Sequence, residues 1–211
     1  MTAPPSGAAA PSLSICVFCA SSKGLPAEHH EAARRLGELI AGRGHRLVYG
    51  GGNAGLMGEV ARAVSAGGGQ VYGVIPEALI RREQAYEPAT ELVVTQTMRE
   101  RKAAMDDAAD AFIALPGGFG TLEELVEVIT LRQLGINTRP VIVVDVAGYY
   151  RPFIALAREM VDQGFAPAGE GDLFEVAATP EEAIELAEAP HLPRETAPVE
   201  TAVESWESGS R

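Results

Sequence analysis

A glycine-rich turn followed by a carboxylate is the part of this sequence best suited to chemistry. The turn contains Gly117, Gly118, Gly120 and Thr121, and Glu124 follows about one helical turn later. An apolar run precedes the turn and apolar residues recur at helical spacing after it, which predicts a strand, the turn and then a helix. Glycines let the backbone approach an anion closely, and a helix N-terminus favours negative charge. The pattern therefore predicts a phosphate site beside a carboxylate.

The same residues also have a purely structural interpretation. Thr121 and Glu124 have the spacing of a capping box, in which both side chains accept hydrogen bonds from the first backbone N–H groups of a helix. The three glycines exceed what capping needs. On the sequence alone, Glu124 is either a cap or a functional carboxylate.

Two further predicted turns carry polar side chains. Arg101 and Lys102, preceded by Met98, lie in the first turn of a predicted helix, where cations oppose the helix dipole unless an anion neutralises them. They are candidates for binding a phosphate or carboxylate, and a solvated charged turn is the alternative. Ser21 and Ser22 follow the first predicted strand, where their hydroxyls either contact a phosphate or ribose or cap a helix.

A second glycine-rich turn supports a different hypothesis. Gly50, Gly52 and Gly55 match the dinucleotide fingerprint after a predicted strand, and Glu77 lies where a ribose-binding acid would sit. A nicotinamide-dinucleotide protein is therefore an alternative. Against it, a cofactor loop of that kind normally follows the first strand, and the turn at Gly117 competes for the same role.

The two cysteines form a C-x-x-C pair, Cys16 and Cys19. A redox pair sits at a helix start, where the dipole lowers a thiol pKa, whereas Cys16 lies inside a predicted strand. Residues three apart on a strand point to opposite faces. We therefore expect buried, reduced thiols rather than a redox or metal site.

The elements that must position these residues alternate along the chain. Their order predicts an α/β fold, a single-domain Rossmann-like parallel sheet with helices on both faces, in which ligands bind at the carboxyl ends of the strands. Apolar runs predict strands at 14–18, 46–49, 70–75, 92–95, 111–115, 141–145 and 173–176. Helical spacing predicts helices at 27–42, 56–66, 98–109, 121–134, 150–163 and 180–189.

Composition narrows the class of protein. The chain has 211 residues, of which 46% are hydrophobic, enough for one sizeable core. A net charge of −12 argues against a nucleic-acid-binding surface, and no run reaches the roughly 20 apolar residues of a membrane span. The first residues do not have the pattern of a secretion signal, so a cytoplasmic protein is expected. We predict a folded domain at 13–189 and disordered tails at 1–12 and 190–211, which lack a sustained apolar period.

Together these motifs resemble the LOG (LONELY GUY) family of cytokinin riboside 5′-monophosphate phosphoribohydrolases, which are often mislabelled lysine decarboxylases. The resemblance rests on 116–124, on Met98 with Arg101 and Lys102, and on 50–58, and it runs from about 14 to 189. It implies a Rossmann-like fold, a homodimer with the active site near the interface, and no metal or organic cofactor. It assigns catalysis to Arg101 and Glu124. The candidate substrate-binding residues are Ser21, Ser22, Gly52, Met98, Lys102, Gly117, Gly118, Gly120 and Thr121.

The expected reaction is hydrolysis of the N-glycosidic bond of adenosine 5′-monophosphates, N6-modified or not, to a free base and ribose 5-phosphate. Such cleavage passes through an oxocarbenium-like state that a carboxylate can stabilise, while the 5′-phosphate serves as a remote binding handle. A non-catalytic nucleotide- or dinucleotide-binding module is the alternative. Lysine decarboxylation would require a pyridoxal phosphate lysine, and Lys23 and Lys102, the only lysines, lie in no setting typical of one.

Overall fold

The computed structural model describes residues 12–166 and 173–190, and within them seven strands form one sheet. The strands are β1 (Ser14–Phe18), β2 (Arg46–Tyr49), β3 (Gln70–Pro76), β4 (Glu91–Thr95), β5 (Ala111–Ala114), β6 (Val141–Val144) and β7 (Glu175–Ala177). Their order is β4-β3-β2-β1-β5-β6-β7, and every neighbouring pair is parallel. The predicted parallel α/β fold is confirmed, and the strand ends differ from the prediction by at most two residues.

Helices connect the strands, and the six predicted ones are present. They are α1 (Ala27–Gly42), α2 (Gly55–Ala66), α4 (Met98–Asp107), α5 (Phe119–Gln133), α6 (Arg151–Asp162) and α7 (Pro180–Glu188). A further, unpredicted helix, α3 (Ile80–Glu83), follows a 3₁₀ turn at Glu77–Leu79. A helix of about one turn shows no apolar period, so the pattern contains no sign of it.

Both faces of the sheet are covered, as predicted. Helices α1, α2 and α7 pack on one face with Ile15 and Val17 of β1, while α4, α5 and α6 lie on the other with Cys16 and Phe18. Cys19 belongs to the first of these cores. Both cysteines are free and buried, and burial raises the pKa of both thiols, which disfavours the reactive thiolate form.

The direction of the chain across the sheet reverses at β1, which lies between β2 and β5. The strands β1 to β4 extend to one side and β5 to β7 to the other. Open parallel sheets bind ligands in the crevice at such a reversal, beyond the carboxyl ends of the strands. The loops after β1, β2 and β5, which carry most of the candidate site residues, meet there.

The predicted tails, 1–12 and 190–211, lie outside the described residues except for Ser12 and Pro190. Their disorder and the domain bounds 13–189 stay predictions. In the two described ranges, no helix has both the length and the apolar character to cross a membrane. The cytoplasmic location expected from the sequence also stays a prediction.

Candidate active site

A capping box at the start of α4 directs Arg101 into the molecule. The Thr97 hydroxyl accepts a hydrogen bond from the Glu100 N–H at 3.2 Å, and the Glu100 carboxylate accepts from the N–H groups of Gln96 and Thr97 at 2.8 and 3.3 Å. This cap holds the first turn of the helix. Arg101 follows Glu100 in the chain. It lies on the side of α4 that faces the sheet and is only 5% exposed.

The Arg101 guanidinium is fixed by backbone carbonyls and faces two carboxylates. Its Nε donates to the Val74 carbonyl of β3 at 3.2 Å, and its Nη2 donates to the Gly50 carbonyl at 3.0 Å. Nη1 lies 3.7 Å from Oε1 of Glu124, and Nη2 lies 3.7 Å from Oε2 of Glu83. The arrangement places one cation between two carboxylates at the carboxyl edge of the sheet.

The glycine turn after β2 makes room for these side chains. A Cβ atom at Gly50 would lie 1.8 Å from Nη2 of Arg101, and one at Gly52 would lie 3.2 Å from the Cβ of Glu83. In a dinucleotide fingerprint, the glycines leave space for a pyrophosphate. Here the Arg101 guanidinium and the Glu83 side chain occupy that space. Glu77 is exposed in the 3₁₀ turn, away from the Arg101 guanidinium and its two carboxylates. This geometry disfavours the dinucleotide alternative.

Glu124 is a buried carboxylate, 9% exposed, in the second turn of α5. The helix begins at Phe119, two residues before the predicted start, with Gly118 as its N-cap and no side-chain hydrogen bond at the cap. Thr121 and Glu124 therefore do not form the capping box that was the structural alternative for them. Glycine is nearly as favourable as threonine at an N-cap, and the helix therefore begins earlier than the Thr121 pattern indicates. Burial raises the pKa of Glu124 to about 7, and Arg101 partly opposes that rise.

Glu83 is a second carboxylate of the site, which the sequence analysis missed. It ends α3, and its Oε2 is buried without a hydrogen-bond partner among the described residues. Burial raises its pKa as well. Asn53 donates its N–H to the Glu83 and Gln84 carbonyls at 2.9 Å, which attaches this segment to the glycine turn after β2. In the sequence, Glu83 could have been identified as a site residue only by its position after β3, on the side of the sheet where the strands end.

A cavity of about 200 Å³ joins the two carboxylates to the glycine turn of α5. Its polar lining comprises Ser21, Ser22, Glu83, Arg101, Gly118, Gly120, Thr121, Glu123 and Glu124, with Met98 at its side. A Cβ atom at Gly118 or Gly120 would meet nothing within 4 Å, so this turn is open. The first N–H groups of a helix have no acceptor within it, which makes the turn suitable for an anion. The serines do not cap α1, whose N-cap is Pro26.

Three candidate residues do not line this cavity. The Lys102 ammonium pairs with Glu123 and, at 2.9 Å, with Glu127, and it faces a neighbouring groove. Gly52 lies against the Glu83 segment, as described above. Gly117 is buried, and a Cβ atom there would lie 2.1 Å from the Thr121 hydroxyl oxygen. Gly52 and Gly117 therefore shape the walls of the site without lining the cavity.

Comparison with known sequences finds one matching family profile and relatives at about 50% identity. Residues 57–187 match the sequence profile of a family described as "Possible lysine decarboxylase". The chain is 53% identical over 151 residues to the rice (Oryza sativa subsp. japonica) cytokinin riboside 5′-monophosphate phosphoribohydrolase LOG, covering 72% of this chain and 62% of that protein. It is 50% identical to LOG2 of Arabidopsis thaliana, which has the same described activity, over 72% of this chain and 71% of the relative. The chain thus spans less than two thirds of the rice protein.

Solved structures share the fold at lower identity. The molybdenum cofactor binding protein of Rippkaea orientalis superimposes with a TM-score of 0.64 at 23% identity, over 83% of this chain and 95% of that chain. The molybdenum cofactor carrier protein of Chlamydomonas reinhardtii gives 0.65 at 22% identity, over the same shares. Similarity at this level concerns the fold alone.

The raised pKa of Glu124 predicts that Glu124→Gln stabilises the fold above neutral pH. Folding raises the pKa from 4.5 to about 7, so the stability that the protonated carboxyl contributes is complete below 4.5 and is lost as pH rises through about 7. Glutamine avoids the buried charge. At about pH 8 the free energy of unfolding of the variant should exceed that of the wild type by about 1–3 kcal/mol, and at about pH 4 the two should agree. Urea unfolding at both pH values measures this, and a variant less stable at the higher pH would contradict it.

Proposed function

We propose that this chain, which belongs to the LOG family of cytokinin riboside 5′-monophosphate phosphoribohydrolases, hydrolyses the N-glycosidic bond of adenosine 5′-monophosphates, including N6-modified ones. The products are the free base and ribose 5-phosphate. The observation that carries the proposal is one cavity in which the buried Arg101 and Glu124 lie beside the open glycine turn of α5. The names of the relatives at about 50% identity support the same reaction.

The 5′-phosphate binds at the start of α5. The N–H groups of this turn and the positive end of the helix dipole face the open space at Gly118 and Gly120. Thr121 adds a hydroxyl, and Ser21 and Ser22 approach from the loop after β1. Binding energy at this remote group places the ribose over the carboxylates, where it contributes to the rate rather than to affinity alone.

Glu124 acts on the sugar one turn along the same helix. When the bond between ribose C1′ and the base nitrogen breaks, its electron pair leaves with the base, which takes up a proton, and positive charge develops on the ribose. The ionised Glu124 stabilises that charge and orients the water that adds to C1′, and the proton that this water releases balances the one that the base takes up. Arg101 holds Glu124 in place, because its own position is fixed by the carbonyls of Val74 and Gly50.

The residues do not fit a pyridoxal-phosphate decarboxylase. A Schiff-base lysine must lose its proton to attack a carbonyl carbon. The hydrogen bond from Lys102 to Glu123 raises the pKa of the lysine, which favours the protonated form. Lys23 is exposed and does not line the cavity. A binding module without catalysis, in turn, does not need two carboxylates around one buried arginine.

The proposal includes a homodimer formed through α5 and α6. Helix α6 has apolar side chains along it and yet none of its residues is buried. A groove of about 410 Å³ between the two helices is lined by apolar side chains, among them Val126, Ile129, Phe153, Leu156 and Met160. Leu134 and Ile136, just beyond α5, are 59% and 71% exposed. Monomers rarely expose a continuous apolar surface of this kind, and a second copy of the chain is the occupant that we propose.

Product analysis tests the reaction itself. The purified protein should convert AMP or N6-isopentenyl-AMP to the free base and ribose 5-phosphate, and the unphosphorylated riboside should react far more slowly because it lacks the phosphate handle. Chromatography of the products measures both rates. Equal turnover of nucleotide and riboside would remove the phosphate from the proposal, and release of no base from any nucleotide would refute the activity.

Glu124→Gln tests the catalytic carboxylate. Loss of the negative charge should lower kcat by about a hundredfold or more while the protein stays folded and still binds nucleotide. Glu127→Gln is a matched control, since Glu127 lies one turn further along α5, pairs with Lys102 and does not line the cavity. Steady-state kinetics of both variants decide the point. Near-normal turnover by Glu124→Gln would end the assignment.

Light scattering tests the assembly. The wild type should have the mass of a dimer at micromolar concentration, and Leu156→Glu should be monomeric because it places an unpaired charge in the contact. Val94→Glu serves as the control, because Val94 is similarly exposed on β4, at the opposite end of the sheet. A monomeric mass for an active wild-type preparation would contradict the dimer.

A further inference from the structure

The structure assigns a positioning role to Tyr149: its hydroxyl holds the Gly117 carbonyl so that the neighbouring Gly118 N–H is aimed into the cavity, toward the proposed site of the 5′-phosphate. The assignment rests on the proposed function, since it concerns the phosphate end of the same site. Neither Tyr149 nor the loop that carries it lines the cavity. Its contribution is therefore made through the glycine turn.

The turn after β6 has an unusual backbone. Ala147 and Gly148 both have positive φ, at 53° and 77°, and the left-handed region is uncommon for a residue with a Cβ atom. The Asp145 carboxylate accepts the Tyr150 N–H at 2.7 Å, which closes the turn. Strain of this sort persists where surrounding contacts hold it. This turn brings two consecutive tyrosines, Tyr149 and Tyr150, to the glycine turn after β5.

All four carbonyls in the 115–118 segment accept a hydrogen bond. Tyr149 donates its hydroxyl to the Gly117 carbonyl, and Tyr150 donates its hydroxyl to the Leu115 carbonyl at 2.8 Å. The other two are the Pro116 carbonyl, which accepts from the Ala20 N–H at 3.2 Å, and the Gly118 carbonyl, which accepts from the Leu122 N–H at 3.0 Å. Each of these contacts orients one peptide of the turn, whose glycines would otherwise allow several orientations.

The geometry of the peptide bond gives the Tyr149 contact its consequence. In a planar trans peptide, the C=O of one residue and the N–H of the next point in opposite directions. Because the Gly117 carbonyl points to Tyr149, the Gly118 N–H points away from the tyrosine, and Gly118 lines the cavity. The Tyr150 contact has no such effect, since the peptide that it holds joins Leu115 to Pro116, and proline has no N–H.

The ring of Tyr149 is held independently of its hydroxyl. It packs edge-to-face against Tyr150 at 5.1 Å between centroids and against His29 at 6.0 Å. Phenylalanine at this position would keep both ring contacts and lose only the hydrogen bond. The substitution is therefore a selective change to the orientation of one peptide.

Tyr149→Phe and Tyr150→Phe form a matched pair for the test. Each removes one hydroxyl that donates to a carbonyl of the same turn, but only the first leaves an N–H free to turn away from the anion. Tyr149→Phe should weaken binding of ribose 5-phosphate about three- to tenfold, and should lower the ratio of kcat/KM for nucleotide over riboside by a similar factor. Tyr150→Phe should lower the melting temperature and leave affinity and ratio unchanged. Calorimetric titration with ribose 5-phosphate and steady-state kinetics supply the readouts.

The outcomes separate the positioning role from the proposed function. Wild-type protein that binds ribose 5-phosphate but releases no base from nucleotides would refute the activity, and the change in ribose 5-phosphate affinity would still decide on Tyr149. Equal affinity of the wild type and Tyr149→Phe, or no affinity in either, would overturn the positioning role. An equal loss in Tyr149→Phe and Tyr150→Phe would also overturn it, because it would show a general effect on the turn.

Discussion

The burial of one guanidinium is the constraint on which the rest of this site depends. A charge removed from water must be paired and hydrogen-bonded, or the cost of desolvation is not recovered. Arg101 meets this requirement with the carbonyls of Val74 and Gly50 and with the carboxylates of Glu83 and Glu124. These partners come from β3, the turn after β2, α3 and α5. The position of the arginine therefore links four parts of the chain, and its own helix is held by the cap at its start.

One cation between two carboxylates leaves the cluster with an excess of negative charge. Burial then raises the pKa of both Glu83 and Glu124. Glu124, whose pKa is raised to about 7, exchanges its proton readily near neutral pH, which is typical of functional sites. The same property costs stability, since a buried carboxylate disfavours the folded state when it ionises. The ionised carboxylate that the proposed reaction needs therefore lowers the stability of the fold.

The two glycine turns look alike in the sequence and serve different purposes. At Gly50 the absence of a Cβ atom makes room for the protein's own guanidinium, whereas at Gly118 and Gly120 the same absence leaves open space. Only the open turn is suited to a ligand. The direction of its Gly118 N–H is set by Tyr149 in the loop after β6, so the phosphate end of the site depends on a residue that does not line the cavity. A glycine motif is informative about binding only when the atoms opposite each glycine are known.

The sequence by itself determined the alternation of strands and helices, because apolar periodicity is a local property that each segment carries. It indicated β1, β2 and α1 with their observed ends, and it singled out Arg101 and Glu124, whose functional roles stay proposals. It misplaced the cap of α5, since Gly118 and Thr121 are comparable N-caps and no local signal separates them. The tertiary structure decided which residues meet. Arg101 bonds to carbonyls 27 and 51 residues away in the chain, and Glu83 joins it from a one-turn helix without any pattern. Such contacts arise from the order of the strands in the sheet, which periodicity within single segments does not contain.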